Sequence, residues 1–192
     1  MLENMQLNVG EYKNRDRYLA KSLAEVDRLA AMVNDVLRSG SVAEQALRQE
    51  KRLRVDQLIA EVVDDYTLLT KTRGMTFAVD ARPTTIRANR DMMRHVISNL
   101  VSNAVRHGDG GSVIKITCDQ HELAIENACK PLTKQQLQHV FDPFYRSNAA
   151  TKQHADSSGI GLYTVKMLLD ARGLDYNFTP HGRGMRFVVR FE

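Results

Sequence analysis

HVISNLVSNAVRHG, residues 95–108, has the apolar periodicity of a helix, yet Asn99 and Asn103 stand in its middle. Asparagine is a mediocre helix former that favours caps and turns. Wound at about 100° per residue, the segment and its approach put Met93, Ile97, Leu100, Val101 and Ala104 on one side. His95, Asn99, Asn103 and Arg106 fall on the other, with His107 nearby. An ordinary amphipathic surface helix carries Lys and Glu in salt-bridging pairs. Carboxamides at i and i+4, followed by a cation, read instead as a ligand wall.

Working outward, Asn89 stands where an N-cap for this helix is expected. Before it, Asp56 is placed to cap a helix reaching about Thr72 and closed by Gly74. MTFAVD alternates as a strand and TTIRAN reads as a short second one. After it, SVIKITCD and HELAIEN form a hairpin about a DQ turn. TKQQLQHVF is a short helix, GIGLYTVKMLLDARG a helix opened by glycines, and LDYNFTP and GMRFVVRFE the closing strands. Strands interleaved with helices in mixed order predict an α/β two-layer sandwich over 55–192.

Residues 14–38 repeat Leu23, Val26, Ala30, Val33 and Leu37 at three- and four-residue steps, the seam of a bundle or coiled coil. Residues 1–40 therefore read as part of a helical hairpin whose stripe needs a partner chain or further residues. Residues 41–54 read as a linker after the Ser39–Gly40–Ser41 turn.

The 192 residues allow one good domain plus an appendage, and 43% hydrophobic residues suffice for a core. No apolar run reaches the roughly 18–20 residues that span a bilayer. The net charge of +4 is scattered and paired with acids, without a basic stripe interleaved with aromatics, which argues against nucleic acid. Cys118 and Cys129 are too few for a zinc site or a disulfide framework and suit a reducing cytosol.

Two glycine pairs could carry chemistry. Gly159 and Gly161 precede a strong helix, where a missing Cβ and free amides suit a phosphate. Taken alone, a helix cap explains the pair as well. No GK[ST] follows, so it is not a P-loop. Gly182 and Gly184 precede a strand, and a simple turn accounts for them. Between these sites FDPFYRSNAATKQHADSSG is a long polar loop of the kind that forms lids, with Phe141, Phe144 and Tyr145 placed to anchor its start.

The order of the parts is more specific than any one of them. An Asn-x-x-x-Asn helix, a strand–loop element, FDPFYR, a polar loop, GIGL opening a helix and GRG before the last strand resemble the ATP-binding catalytic domain of bacterial sensor histidine kinases, on the Bergerat fold. The resemblance covers 55–192, and residues 1–40 resemble the dimerisation hairpin that precedes it. It implies ATP and Mg²⁺ as ligands, with Asn103 holding the metal on the phosphates and Asn99 beside it. Arg106 and His107 match a pair reaching phosphate and ribose. Tyr145 and Arg146 lie at the start of the lid, and Gly159, Gly161 and Leu162 lie under the phosphates. Relatives that hydrolyse ATP carry a glutamate base where this chain has Asn99, and an amide takes no proton at neutral pH. The reading is thus phosphoryl transfer to a histidine, for relay to a response regulator, by the cytoplasmic part of a membrane-bound, dimeric protein.

The resemblance breaks in one place. The family's adenine box, D-x-G-x-G, is met here by NACKP: Asn127 for the aspartate, Cys129 and Pro131 for the glycines. An asparagine oxygen still accepts the adenine amino group, without charge assistance. His121 lacks the Thr-Pro flank of an acceptor and lies after the asparagine helix, so the acceptor is expected upstream of Met1, and the chain alone is expected not to label itself. Two other readings stand beside this one: a serine kinase of the anti-sigma type, and a degenerate module that only pairs with a partner kinase. NVGEYKNRDRYLAKSL, residues 8–23, resembles the vancomycin-resistance sensor kinases of enterococci.

Overall fold

The computed structural model describes residues 50–146 and 159–191. The hairpin expected over 1–40, most of the 41–54 linker and the lid residues 147–158 lie outside the described residues. The elements run β1 (Lys51–Arg54), α1 (Val55–Thr72), β2 (Thr76–Ala81), β3 (Thr85–Ala88), α2 (Arg90–His107), β4 (Val113–Cys118), β5 (Glu122–Ala128), α3 (Lys134–His139), α4 (Gly161–Arg172), β6 (Tyr176–His181) and β7 (Gly184–Arg190).

Five strands form one sheet in the order β2-β4-β5-β7-β6, with β2 parallel to β4 and every other pair antiparallel. β1 and β3 make a separate antiparallel ribbon. The strands alternate because one face is covered. Ile114 and Ile116 of β4, Leu123 and Ile125 of β5, and Phe187 and Val189 of β7 are buried. They meet Leu58, Ile59 and Val62 of α1, Met93, Ile97, Leu100, Val101 and Ala104 of α2, and Val165, Leu168 and Leu169 of α4. The apolar stripe read from the sequence of α2 is thus the inner face of the helical layer, and the architecture is the α/β two-layer sandwich expected.

Two local expectations are corrected. Lys51–Arg54, taken as linker, is strand β1, and it pairs with β3 from Lys51↔Ala88 to Arg54↔Thr85. Sequence gave little sign of it, because three of the four residues are basic and only Leu53 is buried. Asp56 does not cap α1; the helix begins at Val55, and Arg54 takes the N-cap without a side-chain bond. Asp56 instead accepts the Arg54 guanidinium at 2.8 and 2.6 Å and the Thr84 amide at 3.2 Å, so it ties the helix start to the loop before β3. The Arg54 hydrogen bond, foremost, lowers its pKa from 3.8 to about 2.

The far end of α2 is fixed from outside. Arg73, which follows α1, donates to the carbonyls of Val105, of Arg106 at 2.7 Å and of Gly108 at 3.2 Å. A guanidinium there satisfies carbonyls that no helical amide reaches and opposes the negative end of the helix dipole. Ion pairs of Arg90 with Glu61 and Arg94 with Asp65 bind the exposed sides of α1 and α2 together.

Candidate nucleotide site

α2 starts as expected: the Asn89 carboxamide accepts from the Met92 amide at 3.0 Å. The outer stripe of the helix then presents His95, Asn99, Asn103 and His107, each half-buried, and the exposed Arg106. Asn99 resolves the conflict between its residue type and its place in a helix. Its Nδ2 donates back to the His95 carbonyl at 3.0 Å, so the amide is satisfied one turn down the helix. Its Oδ1 is turned toward α4: a Cβ on Gly161 would lie 3.2 Å from that oxygen. Gly161 is therefore where the asparagine stripe of α2 meets the opening of α4, a contact expected only through family resemblance.

α4 begins without a side-chain cap, since Ile160 occupies the N-cap. An N-terminus of that kind, bordered by carboxamides, suits a phosphate. Gly159 just before it has φ +74°. A Cβ there would lie 2.9–3.0 Å from the Phe144 and Tyr145 backbone, and the Phe144 amide donates to the Gly159 carbonyl at 3.1 Å. Positive φ and close backbone both require glycine here. Phe144 and Gly159 are thus held together at the opening of α4, with half-buried Tyr145 and Arg146 beside them.

The aromatic anchor is only partly as expected. Phe141 packs edge-on against Tyr176 and Phe187, at 5.6 and 6.3 Å between centroids. Tyr145 lies 5.9 Å from His139. Phe144, however, is 54% exposed and holds φ +66°. Its backbone, bonded to Gly159, rather than its ring, serves the segment.

At the end of β5, Asn127 is 9% exposed and its register partners are Ile114 and Met185. Its Nδ2 is buried, with the Cys129 side chain as its neighbour. Cys129 is half-buried; burial raises its pKa, while the neighbouring Asn127 amide draws it back down. Gly184 explains itself locally: a Cβ would fall 2.0 Å from the Asn127 carbonyl oxygen. So Gly184 allows β7 to approach β5, and of the second glycine pair only Gly182, at φ +56°, lies in the turn. The Asp109 amide bonds the Ala128 carbonyl at 2.8 Å, which holds the exit of α2 against the end of β5.

The parts fit a nucleotide on one observation of this structure: the Gly161 cradle that a side chain would fill against the Asn99 carboxamide, at an uncapped helix start. Sequence reasoning missed the Arg73 clamp, which carries no motif, and the backbone reason for Gly184.

Comparison with known proteins agrees. A family described as histidine kinase-, DNA gyrase B- and HSP90-like ATPases matches residues 88–192. The chain belongs to this family, and residues 88–192 are an ATP-binding domain of the kind found in sensor histidine kinases. It is 34% identical over 190 residues to the sensor histidine protein kinase HK06 of Streptococcus pneumoniae, with 98% of this chain and 42% of that protein aligned. It is 30% identical to the sensor histidine kinase CusS of Escherichia coli over 92% of this chain and 38% of that one. It is 25% identical to the sensor protein VanSB of Enterococcus faecalis over 97% and 43%. The chain spans about two-fifths of the length of these relatives. In structure it resembles the catalytic domain of histidine kinase ThkA, with TM-score 0.65 and 19% identity over 74% of this chain and 96% of that one. It also resembles ThkA in complex with the response regulator protein TrrA, with TM-score 0.68 and 18% identity over 99% and 55%.

Proposed function

We propose that this chain carries the catalytic part of a sensor histidine kinase, which passes the γ-phosphoryl of ATP to a histidine outside residues 1–192 for relay to a response regulator. The observation that carries the reading is the Asn99 carboxamide set against Gly161 at the opening of α4. It joins a polar helix face to an uncapped helix N-terminus, the two features a polyphosphate needs.

On this reading Asn103 would hold Mg²⁺ through its amide oxygen. Among the described residues no three His, Cys, Asp or Glu side chains gather to hold a metal. The remaining ligands would then be phosphate oxygens and water, the usual arrangement for this ion. Bound there, the ion would neutralise charge on the phosphates. Arg106, His107 and Arg146 supply further positive charge and hydrogen bonds around the chain of phosphates. Gly159 and Gly161 admit the ligand backbone-close, with Leu162 in the first turn of α4. Asn127, with Cys129 beside it, meets the base. Because Asn99 cannot accept a proton, water at the γ-phosphate is left unactivated, and transfer waits for an acceptor nitrogen. Catalysis is then positioning and charge neutralisation.

Residues 1–40 would supply part of the dimer hairpin, in a protein held at a membrane by segments outside this chain. Among the described residues no helix is long and apolar enough to cross a membrane. The ThkA–TrrA complex supports a response regulator as the partner class. The reading is tested by calorimetric titration with ADP and a non-hydrolysable ATP analogue, with and without Mg²⁺, on this chain and on Asn103→Ala. Binding that strengthens with Mg²⁺, a gain lost in the variant, is the expected result. Absence of binding under every condition overturns it in favour of a partner-pairing module, which the altered NACKP box would then explain.

A further inference from the structure

β2 is an edge of the five-stranded sheet, and among the described residues β4 is its one strand neighbour. The Thr76 amide donates to the Ser112 carbonyl at 3.2 Å and the Arg82 amide to the Cys118 carbonyl at 2.9 Å. In a parallel ladder alternate residues aim both amide and carbonyl at the same neighbour. Thr76, Ala78 and Asp80 therefore serve β4, while Phe77, Val79 and Ala81 point their backbone groups the other way. Natural edges are guarded by proline, lysine, a bulge or a very short strand. The far edge, β6, carries Pro180. β2 is six residues long, TFAVDA, with no proline or lysine and an unbroken register against β4. Val79 is 44% exposed, and Ala78 and Asp80 are exposed beside it.

We infer that β2 pairs with the β2 strand of a second copy of this chain, antiparallel, about a two-fold axis that passes through Val79 normal to the sheet. The direction of the backbone groups selects this register. It sets Phe77 against Ala81 and Val79 against Val79, so all three outward-facing residues find partners. The side chains fit the same register. Asp80 of one copy stands opposite Ala78 of the other, and like charges are not opposed. Beyond Ala78 lies Lys115 on β4, two strand spacings or roughly 10 Å from the partner's Asp80, with only a methyl group between. A lysine and an aspartate side chain leaning together over that alanine meet. On its other side Lys115 faces Glu126, which Arg186 already holds at 3.4 Å. The two-fold axis supplies the Lys115–Asp80 contact twice. It also sets both α1 helices, with exposed Leu68 and Leu69, on one side of the joined sheet.

The test is oxidative cross-linking and sedimentation of the full chain. In a hydrogen-bonded antiparallel pair the opposed Cα atoms lie about 5.5 Å apart, inside the range that a disulfide spans. Val79→Cys should therefore give an intermolecular disulfide between the two substituted positions, identified by peptide mapping. Its rate should be at least about tenfold that of Asn177→Cys on the far edge, the gain from holding two thiols together. Val79→Lys sets two ammonium groups on the axis and should raise the Kd of this association about tenfold, read as a lower weight-average mass at the same concentration. Equal cross-linking at the two edges overturns the inference. So does the same weight-average mass for the native chain and for a Val79→Lys variant whose circular dichroism shows it folded. The inference does not rest on the nucleotide reading, and a chain that binds no nucleotide leaves it standing.

Discussion

At the scale of single residues, the site depends on small groups whose size decides what can come near. Gly161 is the clearest. Its missing side chain leaves room against the Asn99 oxygen, and a methyl group at 3.2 Å would push on a flexible carboxamide rather than on backbone. Gly161→Ala should therefore fold with a Tm close to that of the native chain. Its ADP affinity should drop about tenfold, the worth of one displaced hydrogen-bonding group; thermal melts and calorimetry on one preparation separate the two effects. Gly184 makes the opposite case. The atom that would be struck there is the Asn127 carbonyl at 2.0 Å, part of the β5–β7 pairing. Gly184→Ala should cost about 3 kcal/mol of stability, read from urea midpoints.

The same scale shows what sequence could and could not tell. The asparagine stripe, the Asn89 cap and the glycines were legible because each breaks a local propensity that structure then explains. Gly184 was legible as a glycine but not as a packing contact, because its neighbour is 57 positions away and identifiable only from the strand register. Phe144 was read from its aromatic ring as an anchor for the start of the polar loop; it is exposed and holds a positive φ, which hydrophobicity does not encode.

At the scale of elements, helix α1 and the ribbon are coupled by one carboxylate. Asp56 has its pKa lowered to about 2, first by Arg54 and then by the Thr84 amide against the opposing effect of burial. The sign follows: the folded form binds the proton less well than the unfolded chain, whose carboxyl titrates near 3.8. The stabilisation is fully present above about pH 4 and is lost as pH falls through the folded value. Asp56→Asn should therefore have a lower Tm than the native chain at pH 7, and the gap should close between about pH 4 and 2. A gap that stays constant to pH 2 would remove Asp56 from the account. The alternation of β4, β5 and β7 and the stripe of α2 were plain in the sequence, because burial on one face imposes a period. β1 was not, because a four-residue strand with one buried side chain has no period to read.

At the scale of the whole molecule, one sheet face is covered by α1, α2 and α4, and the proposed nucleotide site lies where α2, α4 and the end of β5 meet. Cys118 and Cys129 report on this layering. Cys118 is buried in the core, and burial raises its thiol pKa to about 11. Cys129 is more open and adjoins Asn127. Iodoacetamide at neutral pH should modify Cys129 and spare Cys118, and Mg·ADP should slow the reaction at Cys129; peptide mapping gives both rates. Equal rates, or protection of neither thiol, would mean that the end of β5 does not adjoin the base.

β5 is the middle strand of the five, and its carbonyl at residue 127 is gripped from the side by a glycine on β7. Backbone and side chain at that position answer to different constraints. The main chain cannot move without disturbing the pairing at the centre of the sheet, while the side chain takes no part in that pairing. Side chains at such a position can change under mutation while the strand pairing around them holds.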